Sequence, residues 1–140
     1  MSEGPNFYEQ VGGEAGVRRL VDRFYEVMDT EPRAAGIRAM HTNLPRANQK
    51  LFEFLSGWMG GPQLFVEKYG HPRLRARHLP FPIGESERDQ WIFCMVRAMH
   101  DVGIPEPLMV NIGNQLWGVA DFMRNQPEAT SSEPASHQAE

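Results

Sequence analysis

Residues 70–91 have the sequence GHPRLRARHLPFPIGESERDQW, and they limit the choice of fold more than any other segment. Pro72, Pro80 and Pro82 divide the first part of this segment. Proline removes a backbone donor and clashes with the preceding helical turn, so only one or two turns fit between them. The whole stretch 63–83 is therefore predicted to be a connector between helices. A connector of that length usually has a functional role.

Amphipathic helices are predicted on both sides of this connector. Apolar residues recur at the helical spacing i, i+3, i+4 and i+7 over residues 17–28, and again in a stretch that begins near Pro45. A third stretch follows Ser86 and Asp89, which resemble a capping pair, and a fourth begins near residues 105–107. No segment alternates with a period of two for long enough to form a strand. The sequence therefore predicts an all-α protein with four substantial helices.

The composition excludes several classes of protein. Cys94 is the only cysteine, so an intramolecular disulfide, an iron–sulfur cluster and a covalent Cys-x-x-Cys-His haem attachment are all ruled out. Any bound metal must then be held mainly by nitrogen or oxygen ligand atoms, not by thiolate sulfur. The chain has 14 Lys+Arg against 18 Asp+Glu, which argues against a nucleic-acid partner. The apolar stretches are too short for a bilayer span and the N-terminus lacks signal-peptide features, so a cytoplasmic protein with no membrane partner is expected.

The charge and composition divide the chain into two parts. Residues 127–140 contain three Glu, no Lys or Arg, and no aliphatic side chain larger than Ala. Such a segment buries too little apolar surface to offset its ordering entropy, so we expect a disordered acidic tail. One compact domain is predicted over residues 1–126.

His78 is the main candidate for a metal ligand. The sequence Leu79-Pro80-Phe81-Pro82 follows it directly, and a rigid pair of prolines suits an imidazole that must point in a fixed direction. The alternative is a partly buried histidine bonded to a backbone carbonyl. A zinc site is poorly supported, because His71 and His78 are the only pair in this region and have no Cys or His-x-x-His partner.

Tyr25 and Trp91 are candidate ligand-binding residues. Each lies on the apolar face of a predicted helix and carries a polar donor, which needs a partner when it is buried. A polar ligand in an apolar pocket would satisfy both donors. The alternative is that both rings are ordinary core residues.

Together, these features resemble the group II truncated haemoglobins over the chain from Phe7 to about Asn125. The resemblance depends on a set of motifs, which are Gly12-Gly13, Arg23-Phe24-Tyr25, Gly60-Gly61-Pro62, the run from Gly70-His71-Pro72 to Pro80-Phe81, and Arg88-Asp89-Gln90-Trp91 at a fixed distance after it. It implies a two-over-two helical sandwich that encloses a non-covalent b-type haem. It also explains the proline-rich connector, since in this family the proximal helix is reduced to a loop and a short turn.

The resemblance assigns cofactor-binding roles. His78 matches the histidine that binds the haem iron, and Arg77 and Lys50 match positions near the haem propionates. The implied apolar lining consists of Leu51, Phe54, Phe65, Ile83 and Met95. Phe65 stands where several relatives have tyrosine, which removes one hydroxyl from the pocket.

The resemblance also assigns the ligand-binding side. Tyr25 matches the tyrosine of the distal pocket, Trp91 matches a tryptophan whose indole reaches the ligand, and His41 falls at the distal edge. Ala47 occupies the position of the distal histidine of many longer globins. Donors placed at a haem ligand strengthen its binding.

Three functions remain open at this point. The favoured one is a haem protein that binds or transports dioxygen or another small diatomic ligand, with no catalytic residue assigned. The second is a redox enzyme at the same haem, performing nitric oxide dioxygenation or peroxidase-type turnover with an external reductase as partner. The third is a haem-free helical interaction domain. Both a monomer and a homodimer are compatible with the sequence.

Overall fold

The computed structural model describes residues 6–71, 73, 76 and 83–125, and within them the chain is helical with no strand. The predicted all-α class is therefore confirmed. The elements in chain order are α1 (Phe7–Gln10), α2 (Gly13–Thr30), a 3₁₀ turn (Pro32–Ala34), α3 (Ala35–Ala39), α4 (Leu44–Trp58), α5 (Leu64–Tyr69), α6 (Glu85–Asp101) and α7 (Glu106–Phe122). No helix in the described ranges is both long and apolar enough to cross a membrane.

The four long helices build one core, in which α2 packs on α4 and α6, and α6 packs on α7. Their buried faces meet in a cluster of large side chains with almost no exposure, among them Leu20, Phe24, Met28, Leu55, Met95, Met99, Ile112 and Leu116. Each such side chain contributes about 1.5–3 kcal/mol when it is removed from water. This arrangement is the predicted two-over-two sandwich.

The start of α6 differs from the prediction. Ser86 and Asp89 do not cap the helix, because Ser86 lies inside it and its Oγ accepts a hydrogen bond from Gln90 Nε2 at 2.9 Å. The helix is capped instead at Gly84, whose backbone N–H donates to Glu87 Oε1 at 2.7 Å. A glutamate at the third helical position can reach back to the cap residue, and this interaction fixes the helix start at Glu85.

Two short helices have no periodic signal in the sequence. Helix α1 is four residues long, and Gly12, which follows it, has a φ of 110° that favours glycine. Helix α5 has six residues and lies in the connector, where only one or two turns were predicted. Both are too short for an amphipathic pattern to show.

Glu53 is a buried carboxylate on α4, with only 4% of its surface exposed. Its Oε2 accepts hydrogen bonds from Gln49 Nε2 at 2.9 Å and from Lys68 Nζ at 3.1 Å. Burial acts to raise the pKa of Glu53, but the hydrogen bonds from Gln49 and Lys68 outweigh it, so the pKa lies below the usual value. The carboxylate is therefore charged in the folded protein.

We expect this protein to lose stability in acid. The pKa values of Glu53, Asp101 and Asp121 are all lowered in the folded state, mainly by hydrogen bonds from Arg23 at Asp101 and from Arg88 at Asp121. A lowered carboxyl pKa stabilises the fold above the unfolded pKa of about 4, and this contribution disappears as the pH falls through the folded value. Urea unfolding at a series of pH values should show a free energy of unfolding that declines below about pH 4. Glu53→Gln should show a shallower decline, and an equally steep one would contradict the assignment.

Candidate functional site

Helix α2 places Tyr25 on the inner face of the sandwich. The phenol is 9% exposed, and its hydroxyl donates to the carbonyl oxygen of Ala47 on α4 at 3.3 Å. That bond is long for a hydroxyl donor, since 2.7–2.8 Å is the common distance. Burial raises the pKa of Tyr25, so the hydroxyl keeps its proton at neutral pH. Tyr25 is therefore a neutral donor that is only weakly engaged.

Trp91 reaches the same region from α6. The ring centre of Phe24 lies 5.2 Å from that of Trp91 and 4.9 Å from that of Tyr25, so Phe24 contacts both. Trp91 is half-buried, and the described part of the chain offers its indole N–H no hydrogen-bond acceptor. Two donors from different helices are thus gathered around one phenylalanine.

His41 follows α3 and completes this group. Its Nδ1 lies 2.8 Å from the carbonyl oxygen of Ile37, and its ring centre is 5.9 Å from that of Tyr25. Because a carbonyl only accepts, Nδ1 carries the proton in the neutral ring and Nε2 is left as an acceptor. We call Phe24, Tyr25, His41 and Trp91 the distal cluster.

A side chain next to Trp91 holds the segment that carries His41. The backbone N–H of Ile37 donates to Gln90 Oε1 at 2.9 Å, and the carbonyl of the same residue accepts from His41. A Cβ at Gly36 would lie 2.9 Å from the Gln90 amide, so α3 approaches α6 closely at a glycine. Gln90 therefore links the position of His41 to the helix that carries Trp91.

Helix α4 provides an apolar wall with a cation at its edge. Ala47, Lys50, Leu51 and Phe54 share one helical face by their i, i+3, i+4, i+7 spacing, and all four are half-buried. Phe65 on α5 packs edge-to-face on Phe54, with ring centres 6.2 Å apart. The wall thus starts at Ala47, whose carbonyl accepts the hydrogen bond from Tyr25, and continues to Phe65 on α5.

The cation at this edge is Lys50. Its Nζ lies 5.3 Å from the ring centre of Tyr69, within the range of a cation–π contact. Lys68 Nζ lies at the same distance from that ring. An anionic group at the edge of the wall would meet these ammonium groups.

The other predicted site residues lie in different surroundings. Met95 has no exposed surface and belongs to the core of α6, one turn after Trp91. Ile83 is half-buried just before α6. The two predicted residues Arg77 and His78, and the predicted tail at 127–140, lie outside the described residues.

Cys94 takes no part in the site. It is fully buried beside Met95, and burial raises the pKa of its thiol to about 11. A protonated, enclosed thiol acts as a small apolar side chain.

The arrangement of these residues fits a planar apolar cofactor with an acidic edge. Within the described ranges no group of three or more His, Cys, Asp or Glu side chains is placed to hold a metal. The distal cluster instead supplies donors for a small ligand, α4 supplies an apolar wall, and Lys50 supplies charge for an acidic edge. These are the features that a haem needs from a protein. The helical sandwich and this site together define a globin.

Comparison with known proteins identifies the family. The bacterial-like globin family matches residues 6–125. A group 2 truncated haemoglobin of Bacillus subtilis is 40% identical over 122 residues, which are 87% of this chain and 90% of the relative. A solved group II 2-on-2 haemoglobin of Agrobacterium tumefaciens superposes with a TM-score of 0.85 at 45% identity, covering 90% of this chain and 98% of that one.

A further solved structure, described as a truncated oxygen-avid haemoglobin from Bacillus subtilis, superposes with a TM-score of 0.77 at 38% identity. The superposition covers 86% of this chain and 100% of the Bacillus subtilis chain. The chain therefore belongs to the group II truncated haemoglobins and is a haem-binding protein.

Sequence reasoning missed three contributors to the site. Phe24, which joins Tyr25 to Trp91, has the spacing of an ordinary core residue. The Ala47 carbonyl is a backbone group that carries no sequence signal. Gln90 lies beside Trp91 in the family motif, but its contact with Ile37 depends on tertiary structure.

Proposed function

We propose that the protein binds dioxygen or another small diatomic ligand at a non-covalent b-type haem. The observation that carries this proposal is the pair of underused donors in the distal cluster. The Trp91 indole N–H has no acceptor in the described part of the chain, and the Tyr25 hydroxyl has only a 3.3 Å bond to Ala47. Haem supplies, when bound, an open iron coordination position for such a ligand.

The proximal side of this proposal depends on His78. Its imidazole would be the iron ligand, as the family motif around it implies. Arg77 beside it and Lys50 on α4 would pair with the propionates, and the place of Lys50 at the edge of the apolar wall supports this role. Each of these pairs contributes little where it is solvated.

On the distal side, Tyr25 and Trp91 would donate hydrogen bonds to the ligand. Burial keeps Tyr25 protonated, so its donor persists across the physiological pH range. Leu51, Phe54 and Phe65 would give the ligand apolar surroundings, in which hydrogen bonds are stronger than in water. The oxygen-avid description of the Bacillus subtilis relative supports dioxygen as the ligand.

His41 would complete the ligand side through Nε2. Its Nδ1 proton is engaged by Ile37, so Nε2 is left as an acceptor, which could receive a hydrogen bond from the Tyr25 hydroxyl. The globin domain would end near residue 126, which the family match to residues 6–125 supports. The acidic segment 127–140 would take no part in binding.

Reversible binding and redox turnover give different results in one set of experiments. The reduced full-length protein is mixed with dioxygen, nitric oxide or peroxide in a stopped-flow instrument, and its absorbance is followed through repeated oxygenation and deoxygenation. We expect dioxygen to be taken up and released unchanged over several cycles. Oxidation of the protein faster than dioxygen release, together with sustained consumption of nitric oxide or peroxide when a reductase is added, would contradict a binding role and favour an enzyme.

A further inference from the structure

His41 is held at its backbone and at its ring by residues of its own segment. Its backbone N–H donates to the Arg38 carbonyl at 3.1 Å, and its own carbonyl accepts from Arg38 Nη1 at 3.0 Å. Its ring Nδ1 donates to the Ile37 carbonyl at 2.8 Å. Residues 37–41 therefore form a small closed unit, and the place of His41 depends on where this unit is attached to the long helices.

Polar contacts attach this unit to the two helices that carry the donors of the distal cluster. On the α6 side, Gln90 Oε1 accepts from the Ile37 backbone N–H at 2.9 Å. On the α2 side, Arg38 Nε donates to Asp29 Oδ1 at 2.7 Å, and Asp29 lies one turn after Tyr25. Arg38 thus bonds to α2 with one nitrogen and to His41 with another, so a single side chain fixes His41 relative to Tyr25.

The outer side of this unit borders on empty space. A cavity of about 360 Å³ lies between the end of α2 and α3, and Asp29, Arg38 and His41 are among the residues that line it. No side chain fills this cavity, so packing cannot hold His41 on that side. The hydrogen bonds of Arg38 supply the restraint there.

The position of His41 matters because its Nε2 and a bound ligand compete for one proton. The Tyr25 hydroxyl has a single proton, and Nε2 of His41 is an acceptor. In the structure that hydroxyl donates to the Ala47 carbonyl at 3.3 Å, although the ring centre of His41 is only 5.9 Å from that of Tyr25. As it is held, His41 contacts the Tyr25 ring and leaves its proton in a long bond that a ligand can replace.

We propose that Arg38 is a positioning residue for the distal cluster, which holds His41 where its Nε2 does not capture the Tyr25 proton. The proposal rests on the proposed binding of a diatomic ligand at a haem. Without Arg38, His41 can turn toward Tyr25 and become a competing acceptor. The ligand then loses part of its hydrogen bond and is released faster.

Three single variants of the full-length, haem-loaded protein and one double variant test this role. Arg38→Met removes both guanidinium bonds and keeps a long side chain. His41→Phe keeps a ring beside Tyr25 and removes the competing acceptor, and the double variant combines the two changes. Arg19→Met is the matched control, because Arg19 is an exposed arginine about 15 Å before Asp29 on the same helix and its loss removes the same charge.

Two readouts follow the ligand directly. The first is the dioxygen dissociation rate at low and at high salt concentration. The second is the infrared C–O stretching band of the carbon monoxide complex, whose frequency depends on the hydrogen-bond donors around the ligand. Circular dichroism checks that each variant is folded.

We expect Arg38→Met to raise the dissociation rate roughly two- to tenfold, the equivalent of one hydrogen bond, and to shift or split the C–O band. Arg19→Met should match the parent protein in both readouts. When His41 is already phenylalanine, Arg38→Met should add nothing, because no acceptor is left to move.

Salt gives a test that needs no variant to fold. The side chains of Arg38 and Asp29 are 38% and 51% exposed, so about 1 M salt screens their ion pair. We expect high salt to move the dissociation rate of the parent protein toward that of Arg38→Met, and to leave Arg38→Met itself nearly unchanged.

The outcomes separate this proposal from the one on which it rests. A parent-like rate and C–O band in Arg38→Met would overturn the positioning role. An equally large effect of Arg38→Met in the His41→Phe background would overturn it as well, because Arg38 would then act without His41. A parent protein that forms no carbon monoxide complex would overturn the proposed function itself.

Discussion

Replacing His78 with alanine is expected to lower the haem affinity of the protein by more than about 100-fold. Loss of a residue that merely supports a metal ligand costs about 10- to 100-fold in affinity, and His78 is proposed as the ligand itself. No other histidine is predicted on the proximal side, because His71 is exposed and bonded to Arg73, and His100 lies at the end of α6 beside Asp101. The measurement is the Soret absorbance per chain after purification and after addition of haemin.

His71→Ala is the matched control for this variant. It changes a histidine in the same proline-rich segment, and it removes only the acceptor of one exposed backbone N–H. We expect it to retain the haem content and the spectrum of the parent protein. Added imidazole should restore part of the haem binding in His78→Ala, since it replaces the missing ligand. Full haem content with an unchanged spectrum in His78→Ala would refute the assignment.

Replacing Tyr25 with phenylalanine is expected to raise the dioxygen dissociation rate by about 10- to 100-fold. A hydrogen bond to a ligand that carries negative charge is worth about 1.5–3 kcal/mol. Removing the hydroxyl removes this stabilisation of the bound ligand, so the ligand dissociates faster. The phenyl ring keeps the edge-to-face contact with Phe24, so the fold should be retained. The measurement is stopped-flow dissociation of dioxygen from the reduced protein, with carbon monoxide present as a competing ligand.

Trp91→Phe and the double variant extend this test. Both donors contact Phe24, so their effects on the dissociation rate should be coupled and should not simply add. Tyr8→Phe serves as the control, because Tyr8 lies on α1 outside the distal cluster and should leave the rate unchanged. Dissociation rates equal to that of the parent protein in both Tyr25→Phe and Trp91→Phe would show that the distal cluster does not hold the ligand.

Much of the fold could be predicted from the sequence because the four long helices bury continuous apolar faces. The stripe from Val17 to Met28, for example, is buried in α2 as its spacing predicts. The prediction that Ser86 caps α6 was wrong for a local reason. Serine is a common cap residue, but here the Glu87 carboxylate, three residues after Gly84, accepts a hydrogen bond from the Gly84 backbone N–H and makes Gly84 the cap.

The site was less accessible to sequence reasoning alone. Spacing placed Tyr25 and Trp91 on inner helix faces, but only the family resemblance gave them a ligand-binding role. Their shared contact with Phe24 and the bond from Tyr25 to the Ala47 carbonyl depend on how α2, α4 and α6 cross. Arg38 lies on a helix of five residues, which is too short for a periodic pattern that would distinguish it from a surface residue.

The most direct test of the account is a titration of the haem-free, full-length chain with haemin, followed by absorbance at the Soret band. We predict a linear rise that stops at one haem per chain, and after reduction a spectrum with a histidine ligand that changes reversibly with dioxygen. A folded chain whose spectrum stays that of free haemin at every haemin concentration would contradict the account, and the helical sandwich would then have to serve as a haem-free interaction domain.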